Sequence, residues 1–488
     1  MTFNSLAFLA FFPIVLLFHF LTPRKYRVVP LLILSYYFYA CWNVKLMGLI
    51  LFTTVVSYVS GLLMEKTEKK GVRRLLLTVT LIACLGVLFF YKYFNFFVST
   101  VGSVVSLFTG EPNAVSGALE LILPVGISFY TFQTLSYVID VYRKSIDAEK
   151  NFLYYALFVT FFPQLVAGPI ERPENLLPQL KKEHKLTRDN FVNGAAIMLI
   201  GYFKKIAVAD IIAPYVNSVF NNPEKATGLT VIVASCLFAM QIYCDFSGYT
   251  DIAIGCARIM GIRLMQNFNR PYSAKSIKEF WARWHISLSS WFKDYLYIPL
   301  GGNRRSKVRN MLNIMIVFTV SGLWHGANMT FVIWGALHGF YQIIGRLTIK
   351  ARNAMLSKIG LSEESILVKV WRTFFTFVLV TFAWIFFRAN SISDLGVLLS
   401  KLVNLGGIGS LESVMGLSLS SALMIVLAIA LLILLDRKMN PKGDYNAVNT
   451  QAVSFSLSQA FTVIWIVICA WLILYSKGTL STFIYFQF

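Results

Sequence analysis

Charge is scarce in this chain, and acid is scarcer than base: 14% of its 488 residues are charged, with 23 Asp and Glu against 44 Lys and Arg. A soluble protein of that length needs a more polar surface. With 57% hydrophobic residues, the composition is that of a polytopic helical membrane protein. Cysteine is sparse too. The six (Cys41, Cys84, Cys236, Cys244, Cys256 and Cys469) form no CxxC pair and no metal-ligand spacing, so they read as core residues and leave the redox compartment open. HExxH and GxSxG are missing, and no Cys pairs with a His at a recognisable spacing, which removes the zinc-hydrolase and nucleophile-elbow routes to catalysis. Long repeats and low-complexity tracts are absent. So are the matched Gly/Pro-broken half-segments of inverted-repeat transporters, which weakens a transporter reading.

What is present is a series of apolar stretches near 5–22, 28–43, 44–63, 75–98, 119–142, 191–220, 228–260, 310–328, 329–346, 371–389, 417–435 and 457–475. Each approaches the roughly 20 residues that a spanning helix needs. Two others, 152–167 and 277–300, are too short or too charged for plain spans and read as re-entrant or interfacial. The first stretch, Leu6 to Leu21, has no base ahead of it and no small-residue cleavage site behind it, so it is expected to stay as a helix. The net charge of +21 sits in short loops, at Arg24–Arg27, Lys66–Arg74, Arg143-Lys144, Arg172–Arg188 and Arg437-Lys438, whereas Ser99–Ala118 holds one acid and no base. That is the positive-inside pattern, so the charge calls for no nucleic-acid partner. The basic loops are cytoplasmic, and twelve crossings then put both termini outside. Gly261–Asn310 is the densest segment, with ten bases against Glu279 and Asp294.

His325, in Ser321-Gly322-Leu323-Trp324-His325-Gly326-Ala327-Asn328, stands between apolar stretches, where an ionisable side chain marks a functional site by default. An ordinary pKa of about 6.5 suits an imidazole to proton transfer near neutral pH. The plainer alternative is a histidine hydrogen-bonded across a helix interface. His285 follows Trp284 in the charged segment, and His338 lies on the next helix after His325. No metal site is assigned, because the three histidines lack ligand spacing and no Cys or carboxylate pair joins them. Asp245 and Asp251, inside an apolar stretch, either compensate an arginine or polar backbone or take part in chemistry.

Six motifs carry a resemblance: LPVGISF (123–129), FPQLVAGPI (162–170), YCDFSGY (243–249), WHISL (284–288), YIPLGGN (297–303) and LWHG (323–326). In this order they resemble the membrane-bound O-acyltransferases. The nearest branch is the bacterial one of alginate O-acetylation, peptidoglycan O-acetyltransferase and teichoic acid D-alanyltransferase proteins. The likeness is strongest from 120 to 345 and looser over the whole chain. It implies an all-α polytopic fold: about twelve transmembrane helices, with re-entrant and interfacial helices, in a ring thinned at its centre where two funnels meet. It further implies one integral membrane domain over 1–488 with its catalytic core at 120–345, in the bacterial inner membrane among its lipids. By resemblance His325 is the catalytic histidine and His285 its polar partner. Trp284, Trp324, Asn328, Arg283 and Asp245 are assigned to substrate or donor binding. No cofactor is bound; the acyl group arrives as a thioester of coenzyme A, acetyl-CoA above all, or of an acyl carrier protein. The bases of 261–310 suit the phosphates of either, and positive-inside bias explains them equally well.

The tail 476–488 ends Phe483-Ile484-Tyr485-Phe486-Gln487-Phe488. This resembles the C-terminal aromatic hexapeptide of the small partner protein in teichoic acid D-alanylation, whose tyrosine relays the acyl group. Tyr485 is then expected to take the acyl group with His325 as general base. A hydrolase-like partner outside, of the SGNH type, receives it for an envelope or exported polysaccharide. The alternative is an interfacial aromatic anchor. Acetyl is favoured over D-alanyl by family analogy alone. The competing readings are a transporter or flippase of envelope precursors, with His325, Asp245 and Asp251 as its polar path, and a structural scaffold.

Overall fold

Proline, glycine and charge decide where the apolar runs stop. The computed structural model describes residues 1–109, 119, 121–439 and 483, and among the described residues every regular element is helical. Met47–Glu65, Lys70–Thr109, Gly228–Ile259 and Ile366–Arg388 are long and apolar enough to cross a membrane; Leu6–Leu21, Val28–Ala40 and Leu419–Leu434 are shorter apolar helices. The stretch expected at 457–475 lies outside the described residues.

Several bounds differ from the sequence reading, each for a local reason. The run expected at 75–98 belongs to a longer one, Lys70–Leu88 continuing through a wider π turn, Phe89–Tyr93, into Phe94–Thr109. The run at 191–220 likewise carries a π turn, Phe203–Ala209, between Arg188–Tyr202 and Asp210–Phe220. Such insertions concentrate at functional positions. The stretch 152–167 breaks into Phe152–Thr160 and Phe162–Leu165. The stretch 277–300 breaks into Ile277–Arg283, Ile286–Phe292 and a π turn, Lys293–Tyr297, none long enough to span. The 310–328 stretch becomes Lys307–His325: Ser306 accepts from the Arg309 N–H at 3.3 Å to cap its start, and extended Gly326 ends it.

The chain forms two compact units, one of residues 1–196 with 252–265 and one of residues 197–251 with 266 onward. In the first, the FPQLVAGPI motif is a packing centre. The Phe162 ring meets Phe11, Phe38, Phe12 and Phe8 at centroid distances of 5.5 to 6.5 Å. Gly126 of LPVGISF has φ +73°, and a Cβ there would fall 2.6 Å from the Leu165 carbonyl oxygen, so the two motifs meet only because this residue is glycine. Buried Arg73 donates to the carbonyls of Val141 and Tyr142 at 2.9 Å, joining Lys70–Leu88 to Ile127–Arg143. Glu171, fully buried, accepts from the Met265 N–H at 2.5 Å and from Asn175 Nδ2 at 2.6 Å. Burial outweighs those bonds and pushes its carboxyl up to about 7.

In the second unit Lys307–His325 and Met329–Leu347 are neighbours joined by residues 326–328. A Cβ on Gly322 would lie 2.2 Å from the Phe331 carbonyl oxygen, and one on Gly335 would lie 2.3 Å from that of Phe318. The two helices therefore touch backbone to backbone, as small residues allow in membrane bundles.

Candidate active site

The second unit brings the two expected histidines together. His325 is the last residue of Lys307–His325, and His285 occupies the break between Ile277–Arg283 and Ile286–Phe292. Their ring centroids are 6.3 Å apart, and both side chains are buried. His285 has φ 43° and ψ 55°, a left-handed conformation uncommon for a residue with a side chain and characteristic of sites where the surroundings impose it.

Here the imposing residue is Asn267, which the sequence reading passed over. Its carbonyl accepts from the Ile286 N–H at 2.9 Å and its side-chain Oδ1 from Ser287 Oγ at 2.6 Å, while Asn269 N–H donates to the Arg283 carbonyl at 2.9 Å. These bonds hold both sides of the turn that carries His285. No periodicity marks Asn267, because its partners lie about 20 residues away in a loop.

Rings set edge-on enclose His325: Trp324 at 5.0 Å, Trp334 at 5.1 Å and Phe387 at 5.4 Å. Trp324 also lies 5.8 Å from His285, touching both imidazoles. Trp284 is fully buried, stacked on Phe280 at 5.5 Å and 5.1 Å from Trp384. Asn328 works as a helix cap, accepting from the Thr330 N–H at 3.0 Å while its Nδ2 donates to the Asn390 carbonyl at 2.9 Å. Arg283 pairs with Glu279 at 2.6 Å and donates to Ser273 Oγ at 3.0 Å.

Asp245 and Asp251 are buried in ion pairs, and their partners are lysines where the sequence suggested an arginine or polar backbone. Lys205 Nζ lies 2.6 Å from Asp245 and 2.8 Å from Asp210, and Lys204 Nζ lies 2.8 Å from Asp251. Both lysines come from the π turn Phe203–Ala209, whose extra residue allows two consecutive side chains to face Gly228–Ile259. Among the described residues no group of three or more His, Cys, Asp or Glu gathers as metal ligands would.

Tyr485 lies outside the described residues. Phe483, the one tail residue described, is buried against Tyr249 at 4.9 Å and Phe246 at 6.0 Å; Phe246 in turn meets His285 edge-on at 4.7 Å.

A cavity of about 270 Å³ is lined in part by Lys307–His325, the helix that ends at His325. Ile314, Val317, Phe318 and Ser321 line it from one face of Lys307–His325, and His325 is the next residue on that face, four beyond Ser321. Trp281 and Phe292 form the opposite wall, and exposed Lys278, Lys293 and Arg346 also border it. The combination suits a slender ligand with an anionic end and an apolar shaft. At 1.5 Å per residue, the helix face from Ile314 to His325 runs about 16 Å.

Comparison with known proteins shows what the chain as a whole is similar to. Residues 143–389, just over half of the chain, match the model of the membrane-bound O-acyltransferase family. The chain is 40% identical to a probable alginate O-acetylase of Azotobacter vinelandii over 80% of its length and 76% of that protein. It is 35% identical to a probable alginate O-acetylase of Pseudomonas putida over the whole of both chains. It is 37% identical to a peptidoglycan O-acetyltransferase of Helicobacter pylori over 78% of its length and 74% of that protein.

Proposed function

Since the chain belongs to the membrane-bound O-acyltransferase family and is a membrane-bound acyltransferase, we propose that it carries an acyl group, acetyl first of all, from a cytoplasmic thioester across the bacterial inner membrane for O-acylation of an envelope or exported polysaccharide. The frame of this reading is the family's ring of about twelve crossings around a thin centre. The observation that carries it is the cavity that follows one face of Lys307–His325 and stops one turn short of the His325 imidazole. A phosphopantetheine arm, common to coenzyme A and acyl carrier proteins, has the matching character: phosphate toward Lys278, Lys293 and Arg346, apolar shaft along the helix, thioester at the histidine.

In the proposed reaction His325 accepts the proton of the Tyr485 hydroxyl as its oxygen attacks the thioester carbonyl. His285 stabilises the oxyanion or orients the donor. Collapse breaks the C–S bond, the thiolate takes the proton back from His325, and Tyr485 holds the acyl group as an aryl ester. A phenol of pKa about 10 and a thiol of about 8.5 are leaving groups of similar quality, so the ester stays activated for a serine of an extracytoplasmic hydrolase-like partner. Support for the relay comes from Phe483. It packs on Phe246, beside His285, and stands two positions before Tyr485 in the sequence.

The test is acyl transfer in proteoliposomes supplied with labelled acetyl-CoA, or with acetylated carrier protein. Thioester consumption by the wild type that is lost in His325→Ala supports the reading. Transport of an envelope precursor without any thioester would point to a flippase instead.

A further inference from the structure

The third histidine has no part in the reaction above, yet it sits where the cavity wall and the catalytic ring cluster join. His338, on Met329–Leu347, is fully buried. Its Nδ1 accepts from the Trp281 indole N–H at 3.2 Å, with the two rings nearly perpendicular and 5.1 Å apart. That bond fixes the tautomer: the proton is on Nε2, which among the described residues has no hydrogen-bond acceptor. A histidine buried outside the reaction, with its Nδ1 committed to one indole N–H, asks for a reason.

The surroundings supply one. Trp281 forms part of the cavity wall. Behind it Trp334 touches Trp281 at 5.7 Å, His338 at 5.0 Å and His325 at 5.1 Å. Phe280 lies parallel to the His338 ring at 6.3 Å and stacks on Trp284. Trp281 rides on Ile277–Arg283, a helix of seven residues too short to hold itself in place. Besides ring packing, among the described residues its hydrogen bonds to Met329–Leu347 are this indole bond and a longer one from Gln342 Nε2 to the Ile277 carbonyl at 3.4 Å.

We propose that His338 is a positioning residue: through its bond to Trp281 it sets the wall of the donor cavity, and so the depth at which a thioester meets His325. The proposal rests on the donor reading of that cavity. It makes His338 a hydrogen-bond acceptor for Trp281 that touches neither the acyl donor nor the proton transferred in the reaction.

The experiment uses purified full-length protein in detergent, with 4′-phosphopantetheine as probe and 5-fluorotryptophan incorporated for ¹⁹F spectra. The Trp281 resonance is assigned by its loss in Trp281→Phe. His338→Leu is expected to shift that resonance and to weaken probe binding about tenfold, the scale of one buried hydrogen bond left unmade. His338→Asn, whose Oδ1 stands near the position of Nδ1, is expected to keep the resonance and to bind within about threefold of wild type. The double variant His338→Leu/Trp281→Phe is expected to lose about tenfold, because one bond is lost either way. An unmoved Trp281 resonance in His338→Leu, unchanged binding, or a hundredfold loss in the double variant overturns the inference while wild-type binding leaves the donor reading intact. A wild type that does not bind the probe overturns the donor reading and this inference with it.

Discussion

The imidazoles of His285 and His325 lie 6.3 Å apart, each buried, one on a strained turn and the other at a helix end. Neither position is the product of a single element. Asn267 holds the first, and extended Gly326 together with the Gly322–Gly335 approach holds the second. The site is built by packing and clamps, and its variants are expected to separate into those that remove chemistry and those that remove support.

Asn267→Ala removes the side-chain acceptor of Ser287 and loosens the turn at His285, which keeps its backbone bonds from Ile286 and to Arg283. Activity is expected to fall about tenfold or more, with a stability loss of about 1–3 kcal/mol from the buried groups left unmade. Initial rates and thermal melting of the purified variant measure the two effects separately.

Gly322→Ala places a methyl group against the Phe331 backbone carbonyl, which cannot yield as a flexible side chain would. A destabilisation of about 1–3 kcal/mol is expected from overpacking, read as a lower melting temperature in detergent.

The buried pair Lys204–Asp251 should be worse broken than absent. Asp251→Leu or Lys204→Met alone is expected to cost about 3–5 kcal/mol by removing one partner of a buried ion pair, and the double substitution less than either. A melting series of the four proteins gives the answer.

Glu171 should make stability depend on pH. Burial raises its folded-state pKa from the ordinary 4.5 to about 7, so the folded protein holds the proton more tightly than the unfolded chain. Its contribution is present below about pH 4.5 and is lost as pH rises toward 7, giving a melting temperature that falls across that window. Glu171→Gln, which keeps an acceptor for the Met265 N–H, is expected to flatten the difference between pH 5 and pH 8.

Much of this was legible in the sequence. Within the described residues the apolar stretches became helices because length and hydropathy decide them, and 152–167 and 277–300 broke into pieces too short to span, as their length and charge suggested. His325 stood out because a titratable group in an apolar run needs a cause, and His285 because it repeats the Trp-His pair within the charged segment. What stayed hidden depends on distant partners. Lys204 and Lys205 carry no mark in the sequence and gain their role where the π turn sets them against Asp251 and Asp245, and Asn267 and Trp281 act on residues brought to them only by the fold. The cavity along Lys307–His325 is likewise a product of three separate segments.

The central claim is that His325 activates a phenol of this same chain toward a thioester. Peptide mass spectrometry on protein incubated with acetyl-CoA, or with acetylated carrier protein, and quenched in acid tests it most directly. The account predicts a mass increase of one acetyl group on the peptide containing Tyr485 that disappears in both Tyr485→Phe and His325→Ala. Full activity in Tyr485→Phe, or an adduct at Tyr485 that persists in His325→Ala, would contradict it.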